Sequence, residues 1–126
     1  MAKSYVSFVV SGRAEMGSAL QKFAKDNPKR FGQALYTEAL LIEQVSRERT
    51  PVLTGVLRAS HETSLPTETD PIEVQIRVGG PAAPYALYVH EKLEARHKVG
   101  QAKFLESAVL EGMTGLAERI AERLKL

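Results

Sequence analysis

Polar and apolar positions divide the 126-residue chain into segments of two different periods. Val6, Phe8 and Val10 alternate with Tyr5, Ser7 and Val9, the two-residue repeat of a short half-buried strand that Ser11-Gly12 ends. From about Ala14 to Arg47 the repeat lengthens to a helical one. Met16, Leu20 and Phe23 share one face; Asn27-Pro28 then reads as an N-cap with proline at the first helical position, or as a proline kink in one continuous helix. Beyond it Phe31, Leu35, Ile42 and Val45 recur, and Ala34 and Leu41 widen the stripe enough to imply contact on more than one side, the second contact being a candidate subunit interface.

Thr50-Pro51 stops this helix and Thr54-Gly55 turns the chain. Residues 56–63 read as a strand with Leu57, Ala59 and His61 on one face. Residues 64–71 form a polar, proline-bounded connection. Ile72, Val74, Ile76 and Val78 then alternate with Glu73, Gln75 and Arg77, the cleanest strand signal in the chain, so the two strands are expected to pair as an antiparallel hairpin. A loop rich in glycine and proline follows at 79–84, then a compact element over 85–93 and a charged stretch over 94–100. Leu105, Val109, Met113, Leu116, Ile120 and Leu124 step by three or four residues and predict one long C-terminal helix. The expected fold class is α+β: a small, mainly antiparallel β-sheet packed by a long central helix and a C-terminal helix, in a single domain spanning 1–126.

Composition changes this picture little. Hydrophobic residues are 44% and charged residues 25%, ordinary values for a globular domain. No cysteine is present, which excludes disulfides and thiolate metal sites. A net charge of +2 is too balanced to predict nucleic-acid binding by itself. No apolar run approaches the ~20 residues of a membrane span, and the N-terminus reads as a strand rather than a signal peptide, so no membrane partner is expected and the protein is expected to be made in a cytoplasm.

Candidate chemistry is sparse. His90, Glu91, Glu94 and His97 invite a metal reading, but histidines seven residues apart lie ~10 Å apart along a helix axis, too far for one ion on a straight helix. Ser60 and His61 are adjacent, so on a strand they would point to opposite faces and could not act as nucleophile and base. Glu62 and Glu73 read as solvated strand faces, and Gly79-Gly80 lacks the lysine and helix start of a phosphate loop. Neither a catalytic group nor a cofactor is expected. Arg96, His97, Lys98 and Lys103 form a basic cluster that could meet DNA phosphates or an acidic neighbour, or simply be solvated.

Three segments in order carry a family resemblance: Thr50-Pro51-Val52-Leu53-Thr54-Gly55-Val56-Leu57-Arg58-Ala59-Ser60, then Tyr85-Ala86-Leu87-Tyr88-Val89-His90-Glu91, then Gly100-Gln101-Ala102-Lys103-Phe104-Leu105-Glu106-Ser107-Ala108. Together they resemble the tail-component family of tailed bacteriophages typified by phage Hong Kong 97, also described as tail-completion or head–tail joining proteins. That family pairs a Pro-x-x-Thr-Gly-x-Leu turn with a Tyr-Ala-x-Tyr-Val-Glu segment and an Ala-x-Phe-Leu helix start. The likeness spans roughly residues 30 to 110. It departs from the commoner pattern at Glu91-Lys92-Leu93, where many members carry a Glu-x-Gly-Thr turn. Pro51, Thr54, Gly55, Leu57, Tyr85, Tyr88, Phe104 and Leu105 match the motifs, and each suits a role in folding or contact rather than in chemistry.

The resemblance implies a structural virion protein: a homo-oligomeric ring in the neck, most simply six-fold, that joins the tail to the head connector around the DNA channel. Its implied partners are further copies of itself, connector proteins and tail-tube proteins, with non-specific DNA contact from the 96–103 region, and its implied location is the virion after assembly in the host bacterial cytoplasm. The central-helix stripe, Tyr85, Tyr88 and the 92–103 loop are the expected contact surfaces. A small nucleic-acid-binding protein using the 96–103 cluster is the alternative, and a small nuclease or hydrolase built on His90 and His97 is a third reading.

Overall fold

A computed structural model describes residues 5–11, 16–51, 55–69, 71–80, 83, 86, 90 and 103–126. The fold is α+β: a three-stranded antiparallel sheet with helices packed against it. Strand β1 (Tyr5–Ser11) buries Val6 and Val10 and leaves Val9 55% exposed, as the two-residue alternation requires. Helix α1 (Gly17–Asp26) buries Leu20 and Ala24, one turn apart.

Helix α2 (Pro28–Arg49) begins directly after it, so the chain holds two helices rather than one kinked helix. Asn27 stands at the junction with φ −135° and ψ 62°, outside the helical region. It works through its backbone: its N–H donates to Phe23 O at 2.7 Å and its carbonyl accepts from Phe31 N at 3.0 Å, whereas its side chain makes no capping bond. At 22 residues α2 is ~33 Å long, the longest element described. Phe31, Leu35, Ala39 and Ile42 bury one face of it.

The segment expected as a strand over 56–63 is different. Gly55 takes φ 84°, a left-handed conformation that glycine adopts at little cost, and the chain leaves it as one helical turn, α3 (Val56–Ala59). Leu, Arg and Ala are good helix formers, and Ser60 closes the turn by donating its hydroxyl to Leu57 O at 2.6 Å. Leu57 is buried as expected, but Ala59 is exposed, so the alternation across 57, 59 and 61 was not a strand face. Only β2 (Glu62–Thr63) is extended there.

Strand β3 (Glu73–Gly79) occupies the centre of the sheet, in the order β1-β3-β2. It pairs antiparallel with β2 (Glu62↔Arg77), a short form of the expected hairpin, and along its whole length with β1 (Tyr5↔Gly79 to Ser11↔Glu73). Val74, Ile76 and Val78 are fully buried on one face, while Arg77 on the other is exposed and bonds its cross-strand neighbour Glu62.

The expected single C-terminal helix is two: α4 (Phe104–Met113) and α5 (Leu116–Leu124). Gly115 at φ 72° breaks them apart, and Arg119 takes up the carbonyls the break releases, donating to Thr114 O at 2.7 Å and Gly112 O at 2.5 Å. The apolar repeat ran through this break because both helices turn their apolar side to the same core. Helix α4 lies against α2 so closely that a Cβ at Gly112 would stand 2.3 Å from Ile42 Cγ1.

Candidate functional site

Residues of the second and third resemblance segments, and the residue that directly follows the first, meet at one place in the fold. Pro51 is buried just after the end of α2, Gly55 makes the left-handed turn, and Leu57 packs into the core from α3. Phe104 and Leu105, at the start of α4, are fully buried. Around Phe104 stand two buried histidines: His61 with its ring centroid 6.0 Å away, and His90 edge-on at 5.0 Å and 82°. His61 directly follows the first segment, His90 belongs to the second and Phe104 to the third. Segments far apart in sequence therefore close on one aromatic ring.

Each histidine has a defined bonding role. His61 Nδ1 lies 2.9 Å from Arg58 O, which can only accept, so Nδ1 carries the proton and donates. Nε2 then accepts from the Ser46 hydroxyl at 2.7 Å. Burial drives the His61 pKa down to about 4; the Arg58 carbonyl bond opposes this, and the charges of Arg47 and Arg58 add to the lowering. His90 is 1% exposed, and its Nε2 accepts the backbone N–H of Glu106 at 3.3 Å. Glu106 is the third residue of α4, and Lys103, in the N-cap position with φ 53°, supplies no side-chain cap. His90 thus caps α4 from a distant segment, and Lys103 N donates to His90 O in the same junction.

A serine hydroxyl bonded to an imidazole that is oriented by a carbonyl has the outline of a nucleophile–base pair. Its surroundings give it a different role. Ser46 is fully buried within α2 and His61 is 5% exposed, so neither presents a reacting atom to a substrate, and an imidazole of pKa about 4 is a weak base at neutral pH. The pair ties α2 to the turn between α3 and β2. Ser60, the hydroxyl next to His61 in sequence, accepts instead from Gly79 N at 2.9 Å.

A second polar cluster sits lower on the same face of α2. Glu38 is 2% exposed and receives Arg119 Nε at 2.6 Å and Arg123 Nε at 2.7 Å, both from α5. Burial raises the Glu38 pKa, but the two guanidinium bonds outweigh it and hold the carboxyl below its ordinary value. At the upper end Arg49 donates to Ser107 Oγ at 3.2 Å and pairs with Glu111, joining α2 to α4. Between these ties a groove of about 210 Å³ lies along α2 and α4, with Leu41, Val45 and Ala108 in its lining.

Several sequence candidates are not brought together. Glu62 bonds Arg77 rather than approaching Glu73. Among the described residues no three metal-ligating side chains cluster. Glu91, Glu94, Arg96, His97, Lys98, Thr54, Tyr85 and Tyr88 lie outside the described residues. Of the basic cluster only Lys103 is described, and its ammonium pairs with Glu106 at 3.4 Å. The margin of the α2 stripe stays uncovered: Leu40 is 38% and Leu41 46% exposed. No described helix is long and apolar enough to cross a membrane.

Sequence reasoning missed Ser46 and Glu38. Both stand within the apolar stripe of α2, and a polar residue at a core position is the signal that could have found them, since burial demands a partner. Comparison of the chain with protein-family models, with curated proteins and with solved structures finds no match.

Proposed function

We propose that this protein is a structural component of a tailed-phage particle, a ring-forming neck or tail-completion protein that joins the tail to the head connector around the DNA channel. The observation that carries this reading is that Phe104 of the third resemblance segment packs against His90 of the second and against His61, which directly follows the first. Supporting it, the polar side chains of that region bond to one another or to backbone: His61 to Ser46 and Arg58, and His90 to Glu106. The uncovered apolar margin of α2, Leu40 and Leu41, with the groove beside it, offers a surface on which a neighbouring subunit can pack.

The test is location and loss. Antibody labelling of particles should place the protein at the neck, and particles assembled without it should accumulate as separate heads and tails, rejoined when the purified chain is added. Tails that attach firmly in its absence, or substrate turnover by the purified chain, would end this reading. Salt-dependent DNA binding by the free chain would favour the nucleic-acid alternative instead.

A further inference from the structure

The two long edges of the sheet are not alike. Along β3 the backbone groups of Glu73, Gln75 and Gly79 are engaged on the β2 side: Ser64 N donates to Gln75 O at 2.8 Å, Thr67 N to Glu73 O at 3.0 Å, and Gly79 N to Ser60 Oγ at 2.9 Å. In an antiparallel ladder alternate residues face alternate neighbours, so Val74, Ile76 and Val78 are the residues that bond to β1. Their partners are Val10, Phe8 and Val6. It follows that the backbone N–H and C=O groups of Tyr5, Ser7, Val9 and Ser11 point away from the sheet. No strand pairs with that side among the described residues.

An edge that is meant to stay single is ordinarily blunted by a charge, a proline, a bulge or shortness. β1 has none of these: Tyr-Val-Ser-Phe-Val-Val-Ser is seven residues of uncharged, largely β-branched and aromatic sequence in an unbroken register. The opposite edge is protected. β2 is two residues long, Thr63 Oγ1 bonds Glu43 of α2, and Pro66 packs against Gly32 of α2.

We infer that the outer edge of β1 is a docking surface for β1 of a second copy, giving a two-fold antiparallel pair and a six-stranded sheet across the dimer. A second copy is favoured because β1 is the only described strand whose length and free edge match this one, and because an uncharged strand meets its own copy without like-charge repulsion. Residues with outward backbone groups must stand opposite each other, so full overlap centres the axis on Phe8 and sets Ser7 against Val9 of the second copy. This contact is isologous and differs from the head-to-tail contact of a cyclic ring, so it stands apart from the proposed neck role.

The experiment is sedimentation analysis of the full chain over a concentration series, with Val9→Pro and Val9→Lys variants. The Val9 N–H points to the open edge, so proline there removes no bond to β3, and the exposed side chain tolerates lysine. The wild type should reach twice the chain mass, and both variants should fall twofold to the single-chain mass with an unchanged circular dichroism spectrum. Because the chain has no cysteine, a Ser7→Cys, Val9→Cys double variant should oxidise to a covalent dimer. If Val9→Pro does not fold, the Val9→Lys and double-cysteine results decide. A wild type that stays at single-chain mass overturns the inference, as does an assembly whose mass neither substitution changes. Rings that survive both substitutions overturn it while leaving the neck reading intact; dimers lost in both variants uphold it even if the protein is absent from the neck.

Discussion

Two polar clusters interrupt the buried face of α2, eight residues or about two turns apart. Glu38 is ionic: its carboxylate is buried, but the arginines that hold it are 42% and 39% exposed along their side chains. Ser46–His61 is neutral and closed, with both residues buried beside Phe104. Each ties α2 to a part of the chain remote in sequence, Glu38 to α5 and Ser46 to the α3–β2 turn. The difference shows what each position tolerates. Where partly exposed arginines reach in to a carboxylate, a charge can be kept; where burial opposes the charged form, the imidazole stays neutral.

The largest expected effect comes from breaking the ionic cluster. Glu38→Ala should destabilise the fold by about 3 kcal/mol, less than the upper range for a buried ion pair because the arginines it strands can turn to water. Urea unfolding at neutral pH measures this, and a loss below about 1 kcal/mol would show that the carboxylate contributes little.

Acid should then separate the two clusters. His61 has a folded pKa of about 4 against an ordinary 6.5, so between those values the unfolded chain binds a proton that the folded one excludes. Its contribution is complete above pH 6.5 and is lost as the pH falls toward 4, a loss on the order of 3 kcal/mol. Glu38 has a lowered folded pKa, so its contribution is present above its ordinary value of 4.5 and disappears only below that. A Ser46→Ala, His61→Phe double variant, which replaces both partners by apolar groups, should flatten the pH 6.5 to 4.5 part of the wild-type profile attributable to His61 and leave the Glu38 part. An unchanged slope over that window in the double variant would refute the assignment.

Removing only one partner of the neutral pair should cost less. Ser46→Ala leaves His61 Nε2 buried without its donor, an expense of about 1–2 kcal/mol by urea midpoint. The smallest effect belongs to Arg123→Ala, about 1 kcal/mol or less, because Arg119 remains on Glu38 and Arg123 is partly solvated. That loss should shrink further in high salt, whereas the Ser46→Ala loss should not change.

The strand alternations of β1 and β3 were readable because each is a local pattern with one wet and one dry face, and the Phe31-to-Ile42 repeat of α2 was readable for the same reason. The stretch 56–63 misled because an alternation of only three positions, Leu57, Ala59 and His61, fits a helical turn and a short extension equally well; Gly55 and Ser60 decided it through backbone geometry. The C-terminal repeat concealed the break at Gly115, since the residues on either side face one core. In the candidate site, the packing roles of Leu57, Phe104 and Leu105 were visible as apolar anchors. The placement of His61 and His90 on either side of Phe104 was not, because it depends on contacts between segments that no local pattern encodes.

Sequence alone determined the element types where a periodic pattern ran for two turns or more, the end of α2 at Thr50-Pro51, and the α+β class, because burial of a repeating face is a property of neighbouring residues. The tertiary structure decided which polar residues are partners, which strand lies at the centre of the sheet and which edge no other described strand pairs with. These depend on the distance between parts of the chain far apart in sequence, and such distances exist only once the core has closed.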